Sequence, residues 1–334
     1  MSANCAADRP AGRADVAEAL RRAGSLLLIT HMRPDGDGLG SVSGLWSSGS
    51  AAGKDCRVLV PDAVPGRYAF LLAGCTVEPP GRFAELAGQV ELIVVVDTCS
   101  REQLGPLAEA ITQHRAKVAI IDHHATADDI GTAVWSDISA AAAGVMVTEL
   151  LGDLSWPVPL RAAEALATAV LTDTGWLRHA NTDARALRAV GKWMEAGVRL
   201  DELYRRIYQS DRPERLRLLA AALDSLRLYL DGRIAVMTLT RDDFQRTGAF
   251  EDETEDIVQE PMRLATVEVS VIVIVQRNGR LRVSLRSRGR VDVAKVAEGF
   301  GGGGHSDAAG FRRDGEPGEL AKEIVARCAA LLGE

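Results

Sequence analysis

Val94-Val95-Val96-Asp97-Thr98 is an apolar, β-branched run that ends abruptly in a carboxylate. Such a run reads as a buried central strand of a parallel sheet, because covering both faces removes the apolar–polar alternation of a half-exposed strand. Open sheets of this kind bind ligands outside the carboxyl ends of their strands, where Asp97 falls. Three further segments share the pattern. Leu26-Leu27-Leu28-Ile29-Thr30 runs into His31, Asp35 and Asp37; Val118-Ala119-Ile120-Ile121 runs into Asp122-His123-His124; Ala169-Val170-Leu171-Thr172 runs into Asp173. Four apolar segments are therefore expected to deliver carboxylates and imidazoles to one edge, as a two-metal site centred on Asp97.

The chain of 334 residues is long enough for two domains that each bury a core. With 47% hydrophobic and 25% charged residues it has the composition of a globular protein. No apolar run approaches the roughly 18 residues of a membrane span. Met1 to Arg13 contains Asp8 and lacks the apolar core of a secretory signal, so a cytoplasmic protein is expected. The five cysteines, Cys5, Cys56, Cys75, Cys99 and Cys328, are odd in number and form no C-x-x-C pair, which argues for reduced thiols. Cys99, two residues past Asp97, reads as a small apolar residue rather than a nucleophile. The formal net charge of −7 argues against a nonspecific duplex-DNA coat, which needs clustered Lys and Arg, and leaves room for a local basic groove.

Residues 1–13 read as a loose lead-in and Ala14 to Ala23 as a helix with Val16, Leu20 and Ala23 on one side. After the strand Ser25 to Thr30, the Pro- and Gly-rich segment His31 to Ser41 reads as a loop whose glycines at 36, 38 and 40 permit tight turns, with a helix opening near Ser41. Arg57 to Val60, Glu91 to Val96 and Lys117 to Ile121 read as strands, Arg101 to His114 as a crossover helix, and Ala140 to Leu151 as a helix capped by Ser139. Alternation of this kind implies βαβ units around a parallel sheet. Leu160 to Asp173 reads as helix because its apolar residues are mostly Ala and Leu. From Thr182 to Leu230 the pattern is helical, with charged faces. Strand character resumes at Arg233 to Leu239, followed by a hairpin of Val267 to Val275 and Leu281 to Leu285 around Asn278-Gly279 and a last helix from Gly318 to Leu332.

His31, Asp35, Asp37, Asp97, His123 and Asp173 supply two imidazoles and four carboxylates without a thiolate. That set suits Mn²⁺ or Mg²⁺ better than structural zinc. Four carboxylates at one edge repel one another, so divalent cations are their natural partners. Two metals about 3.5–4 Å apart hold a bridging hydroxide and stabilise both oxygens of an in-line displacement at phosphorus. The chemistry points to phosphoester hydrolysis. Farther on, Gly301 to Gly304 gives backbone N–H groups access to phosphate oxygens, with His305 beside them. Ala308-Ala309-Gly310 are small residues where a helix is expected to pack close to those glycines. Arg277, Arg280, Arg282, Arg286, Arg288 and Arg290 form a basic strip, of which Arg280, Arg282 and Arg286 are placed to share a strand face. His114 and His179 lie outside these motifs and read as surface or packing residues.

Taken in order, His31-x-x-x-Asp35-x-Asp37 with Gly40-Ser41, Asp97, Asp122-His123-His124, Asp173-Thr174-Gly175, and Gly302-Gly303-Gly304-His305 with Ala308-Ala309-Gly310 resemble the DHH/DHHA1 phosphoesterases, close to the NrnA-type oligoribonucleases that also act as pAp phosphatases. The resemblance covers nearly the whole chain. It implies an α/β fold: a parallel-sheet DHH domain over 14–197, a helical connector over 198–231 and a smaller α/β DHHA1 domain over 232–334, with the active site in the interdomain cleft; the stretch 182–232 is then a candidate hinge. It assigns His31 and Asp35 to one metal, Asp37, His123 and Asp173 to the other, and Asp97 to both. It makes Asp122 an outer carboxylate that orients the site, has His124 contact the scissile phosphate or protonate the leaving oxygen, and gives Arg286, Gly302, Gly303, Gly304 and His305 to substrate.

The activity implied is a phosphohydrolase with two Mn²⁺ per site, Mg²⁺ or Co²⁺ being substitutes. Its substrates would be short oligoribonucleotides, linear dinucleotides such as pApA, and pAp. Opening of cyclic di-AMP is the alternative, and a noncatalytic nucleotide sensor is the alternative outside enzymes. A pyrophosphatase would not need the glycine cradle, and a processive single-strand exonuclease would need a longer basic channel. Partners are small nucleotides rather than duplex DNA or membrane; a homodimer is compatible with the apolar content, though no stretch marks its surface.

Overall fold

The computed structural model describes residues 12–125 and 127–333. Cys5 and nearly all of the lead-in over 1–13 lie outside the described residues. The chain divides into two compact units, the first ending at Ser210 and the second beginning at Asp211.

The first unit runs α1 (Arg13–Arg22), β1 (Ser25–Ile29), α2 (Gly36–Ala51), β2 (Asp55–Leu59), β3 (Val77–Glu78), α3 (Phe83–Gln89), β4 (Leu92–Val96), α4 (Arg101–Leu104), α5 (Ala108–Gln113), β5 (Val118–Asp122), β6 (Ala133–Ser136), α6 (Ala143–Leu154), α7 (Leu160–Asp173), α8 (Ala184–Glu195) and α9 (Leu200–Tyr208). Its six strands lie in the order β3-β2-β1-β4-β5-β6 and every pairing is parallel. Leu26, Leu28, Val94, Val96, Ala119 and Ile121 pack on one face against α1, α2, α6 and α7. Leu27, Ile29, Ile93, Val95, Val118 and Ile120 pack on the other face. Burial on both sides accounts for the unbroken apolar runs. Because the chain leaves β1 toward β2 and leaves β4 toward β5, strand order reverses between β1 and β4, which is where such sheets open a ligand crevice.

The second unit runs α10 (Pro213–Asp224), β7 (Arg227–Tyr229), β8 (Ile234–Leu239), α11 (Arg241–Thr247), β9 (Val269–Val275), β10 (Leu281–Ser287), α12 (Val293–Glu298), β11 (Gly303–Gly304), β12 (Ala308–Arg313) and α13 (Pro317–Leu332). Its sheet has the order β11-β12-β10-β9-β8-β7, antiparallel except between β8 and β9. Among the described residues no helix is long and apolar enough to cross a membrane.

Several elements depart from the sequence reading for identifiable reasons. The helix expected near Ser41 opens at Gly36, capped by the Asp35 carboxylate, which accepts from the backbone N–H of Asp37 and Gly38 at 3.0 Å each. Its glycines serve close packing instead of turns: a Cβ on Gly36 would lie 2.4 Å from Thr172 Oγ1, and one on Gly40 would lie 2.4 Å from the Ala165 carbonyl oxygen. Packing against α7 thus overrides the poor helix propensity of glycine. The crossover helix over 101–114 is broken at Gly105-Pro106, where proline cannot continue the hydrogen-bond ladder. Ser139 does not cap α6; its hydroxyl bonds Asp137 and the helix begins at Ala143. The helical pattern over 182–230 is interrupted by the edge strand β7. Ala308-Ala309-Gly310 belong to a strand rather than a helix.

Gly40→Ala is expected to lower stability by about 1–3 kcal/mol through overpacking, although alanine is the better helix former. Urea unfolding reads the shift; a gain in stability would mean that α2 and α7 separate without cost.

Candidate metal centre

Each chemistry-bearing side chain of the first unit is placed by the end of a buried element. His31 follows β1, Asp97 follows β4, His123 and His124 follow β5, Asp35 and Asp37 open α2, and Asp173 closes α7. Asp97 leaves its strand with φ +68°, a left-handed conformation that Asp tolerates better than most side chains, so the chain turns away as its carboxylate stays at the sheet edge.

Asp97 is 2% exposed, and its Oδ1 is a buried oxygen with no hydrogen-bond partner. The Nε2 atoms of His31 and His123 stand 3.3 Å from Asp97 Oδ2 and Oδ1 respectively. His31 Nε2 also lies 3.7 Å from Asp35, and His123 Nε2 lies 3.7 Å from Asp37. Each ring is turned by its other nitrogen: Nδ1 of His31 is 2.9 Å from the Met32 carbonyl oxygen, and Nδ1 of His123 is 3.2 Å from that of Ala140. With Nδ1–H turned to a carbonyl, Nε2 is the nitrogen that faces the carboxylates, protonated in the metal-free protein and a lone-pair donor once a cation displaces that proton.

Three groups have ligand atoms within 4.8 Å of one another: His31, Asp35 and Asp97; Asp37, His123 and Asp173; and Asp97, His123 and His124. All six residues singled out from the sequence as metal ligands are brought together, and His124 joins them through Asp97. Asp122 is wholly buried, and its Oδ1 accepts from the backbone N–H of His124 at 3.2 Å and stands 2.8 Å from that ring's Nδ1. The oxygen-rich donor set and the orphaned Asp97 oxygen suit hard divalent cations.

The electrostatics give the same picture. Burial works to raise the Asp97 pKa, but the His123 and His31 imidazoles that face it hold it below the usual carboxylate range. Burial, then Asp97 and Asp173, lifts Asp37 well above that range. Asp173 is pushed up to about 7, by burial first and then by Asp97 and Asp35 against the opposing His123. Burial pulls His123 down, yet Asp97, Asp37 and Asp173 outweigh it and raise the imidazole to about 10. Protons stand where positive charge is required.

Sequence reading missed how these ligands are held. Asp37 accepts from the backbone N–H of Ala143 at 2.6 Å and Gly144 at 2.9 Å and from the Ser41 hydroxyl at 3.0 Å, so it caps α6 from across the unit. Asn181 donates from Nδ2 to Asp173 Oδ2 at 3.2 Å. His179 is exposed, with Nδ1 3.3 Å from the Asp173 carbonyl oxygen rather than its carboxylate. His114 packs edge-on against Phe83 at a centroid distance of 6.0 Å.

The substrate residues named from the sequence lie in the second unit and converge there. Gly303 pairs with Gly310 and Gly304 with Ala309, while His305 and Ala308 exchange backbone hydrogen bonds across the turn. A Cβ on Gly302 would lie 2.4 Å from the Gly310 carbonyl oxygen, so the strands meet only because side chains are absent. Arg286 stands opposite Ala308 on β10, on the same face as Arg282. Arg280 precedes the strand, with Nε 3.5 Å from Asp314. Burial lowers both Arg282 and Arg286 from the usual guanidinium value.

The matches to known families fall on these features. Residues 25–172 match the DHH family N-terminal domain and residues 231–333 match the DHHA1 domain. The chain belongs to the DHH/DHHA1 family. It is 32% identical over 321 residues to the bifunctional oligoribonuclease and PAP phosphatase NrnA of Thermus thermophilus, covering 93% of this chain and 91% of that protein. The crystal structure of an exopolyphosphatase-related protein from Bacteroides fragilis superposes with a TM-score of 0.90 at 23% identity, covering 97% of this chain and 98% of that one. That of RecJ in complex with Mn²⁺ from Thermus thermophilus gives a TM-score of 0.55 at 17% identity, over 96% of this chain and 54% of that one. As a member of the DHH/DHHA1 family the chain is a phosphoester hydrolase.

Because Asp37 fills two roles, Asp37→Ala is expected to destabilise the metal-free protein by about 1–2 kcal/mol, the usual cost of an uncapped helix. Thermal unfolding in chelator checks it; an unchanged midpoint would remove the capping role.

Proposed function

We propose that this DHH/DHHA1 chain is a manganese-dependent phosphohydrolase that degrades short oligoribonucleotides and linear dinucleotides such as pApA to mononucleotides and dephosphorylates pAp to AMP. The observation that carries the reading is Asp97: a buried carboxylate with an unpartnered oxygen, ringed by His31 and His123 and, beyond them, by Asp35, Asp37 and Asp173. The activity named for the Thermus relative, which this chain matches over nearly its full length, supports the substrate class.

His31, Asp35 and Asp97 would hold one cation, and Asp37, His123, Asp173 and Asp97 the other. When bound, such a pair lowers the pKa of attacking water and stabilises charge on the phosphorus oxygens. The rest falls to the chain's own groups. Asp97, which lies between the two sets of side chains, would be shared by both cations. His124, oriented by Asp122, faces the reacting phosphate and hands a proton to the leaving oxygen, whose developing charge it steadies beforehand. The glycine hairpin 302–304 leaves its backbone unscreened by side chains where a phosphate would lie, and His305 and Arg286 add donors there.

The decisive measurement is product analysis of stripped protein reloaded with Mn²⁺ and offered pAp, pApA, a five-nucleotide RNA and cyclic di-AMP. AMP released rapidly from pAp and pApA is the expected result; preferential ring opening would transfer the protein to second-messenger turnover, and silence on every substrate would favour a sensor. Asp97→Ala should bring turnover to background while circular dichroism stays unchanged. His305→Ala should depress nucleotide hydrolysis far more than that of a small generic phosphodiester, and equal losses would count against gripping.

Metal uptake should also depend on pH in a definite direction. A cation must displace protons from His31 and His123, held above their usual range, and from Asp173, which titrates near 7. Mn²⁺ affinity is therefore expected to rise between pH 6 and 8, with protons released in calorimetry across buffers of different ionisation heat; pH-independent affinity would contradict the assignment.

A further inference from the structure

Asn181 lies between α7 and α8, past the sequence motif that contains Asp173. Its side-chain amide donates to three oxygens: the Ala141 carbonyl at 3.0 Å, Asp173 Oδ2 at 3.2 Å and the Asp173 carbonyl at 3.3 Å. An amide NH₂ has two protons, so both are committed to fixing Asp173 relative to the segment that leads into α6. Among the described residues, the side chain of Asp173 accepts no other hydrogen bond.

The far end of this clip is already tied to the other members of the same group. Within residues 140–144, the Ala140 carbonyl orients His123, the N–H groups of Ala143 and Gly144 grip Asp37, and the Ala141 carbonyl receives Asn181. One stretch of backbone thereby sets Asp37 and His123 directly and Asp173 through a single side chain. Asp173 needs such a restraint more than its partners. It sits at the C-terminal end of α7, where the helix dipole disfavours a negative charge, and it is buried beside Asp97 and Asp35, whose repulsion His123 offsets only in part. Unrestrained, its side chain gains by rotating away from the cluster.

We infer that Asn181 is a positioning residue that pre-sets the Asp173 carboxylate for the cation shared with Asp37 and His123. The inference rests on the metal reading proposed above. Asn181 is itself exposed, so its hydrogen bonds compete with water and add little to fold stability; its effect falls on metal affinity. Partners of this kind typically govern metal affinity by about 10- to 100-fold.

The test is calorimetric titration of the stripped full-length chain with MnCl₂ in the absence of substrate, accompanied by electron paramagnetic resonance of the loaded protein. Wild type should take up two equivalents and show an exchange-coupled pair. Asn181→Ala should retain one equivalent at wild-type affinity, bind the second about 10- to 100-fold more weakly, and lose the coupled signal at one equivalent of excess metal. Turnover should return toward the wild-type kcat at saturating Mn²⁺, and the metal-free melting temperature should hardly move. Asn181→Leu keeps the volume without the donors and should behave as the alanine variant does, reading the same quantity if alanine fails to fold. Two equivalents bound by both variants with wild-type affinity would overturn the inference, as would a loss of both sites together with the fold. A wild-type chain that binds fewer than two equivalents would overturn the metal reading itself, and the inference with it.

Discussion

Like charge in a buried place is the constraint on which the first unit depends. Asp35, Asp37, Asp97 and Asp173 converge where strand order reverses, and Asp37 and Asp97 have almost no contact with water. Four ionised carboxylates cannot persist there unaided, since desolvation and mutual repulsion both act against them. Without cations the chain answers with protons, which explains why Asp37 and Asp173 are raised while His31 and His123 hold a positive charge against Asp97. With cations the same groups become ligands. The site is thus built around a positive charge that the side chains alone supply incompletely.

Keeping the carboxylates together against that repulsion requires a rigid frame. The parallel sheet, covered on both faces, fixes His31, Asp97 and His123 on adjacent strands. The close approach of α2 and α7, which the glycines of α2 permit, brings the first turn of one helix against the last turn of the other. A side chain at Gly36 would collide with Thr172, one residue before Asp173. Removing Cβ atoms there is what allows Asp35 and Asp37 to sit beside Asp173. The cost in helix propensity is offset by the cap from Asp35 and by packing.

The second unit meets a different problem, that of presenting backbone donors without side chains in the way. Its glycines form the edge strand β11 in place of a slack linker, and the partner strand carries Ala308, Ala309 and Gly310 for the same steric reason. Arg286 emerges on β10 opposite Ala308, so a guanidinium, an imidazole and backbone unscreened by side chains gather on neighbouring strands. These are the donor types that recognise phosphate.

The sequence by itself determined the class of the fold and the identity of the reactive groups. Unbroken Val and Ile runs can only satisfy themselves inside a doubly covered sheet, and the His and Asp side chains at their ends announce their chemistry by type. Arg282 and Arg286 could be placed on one face from strand period alone. Only the tertiary structure decided that Asp37 caps α6, that glycines 36–40 lie in a helix, that β7 interrupts the helical stretch after Thr182, and that Asn181 and the backbone of residues 140–144 hold Asp37, His123 and Asp173. The physical reason is that these roles belong to backbone N–H and C=O groups, which every residue carries, and to missing Cβ atoms, whose purpose appears only when a second element lies against them.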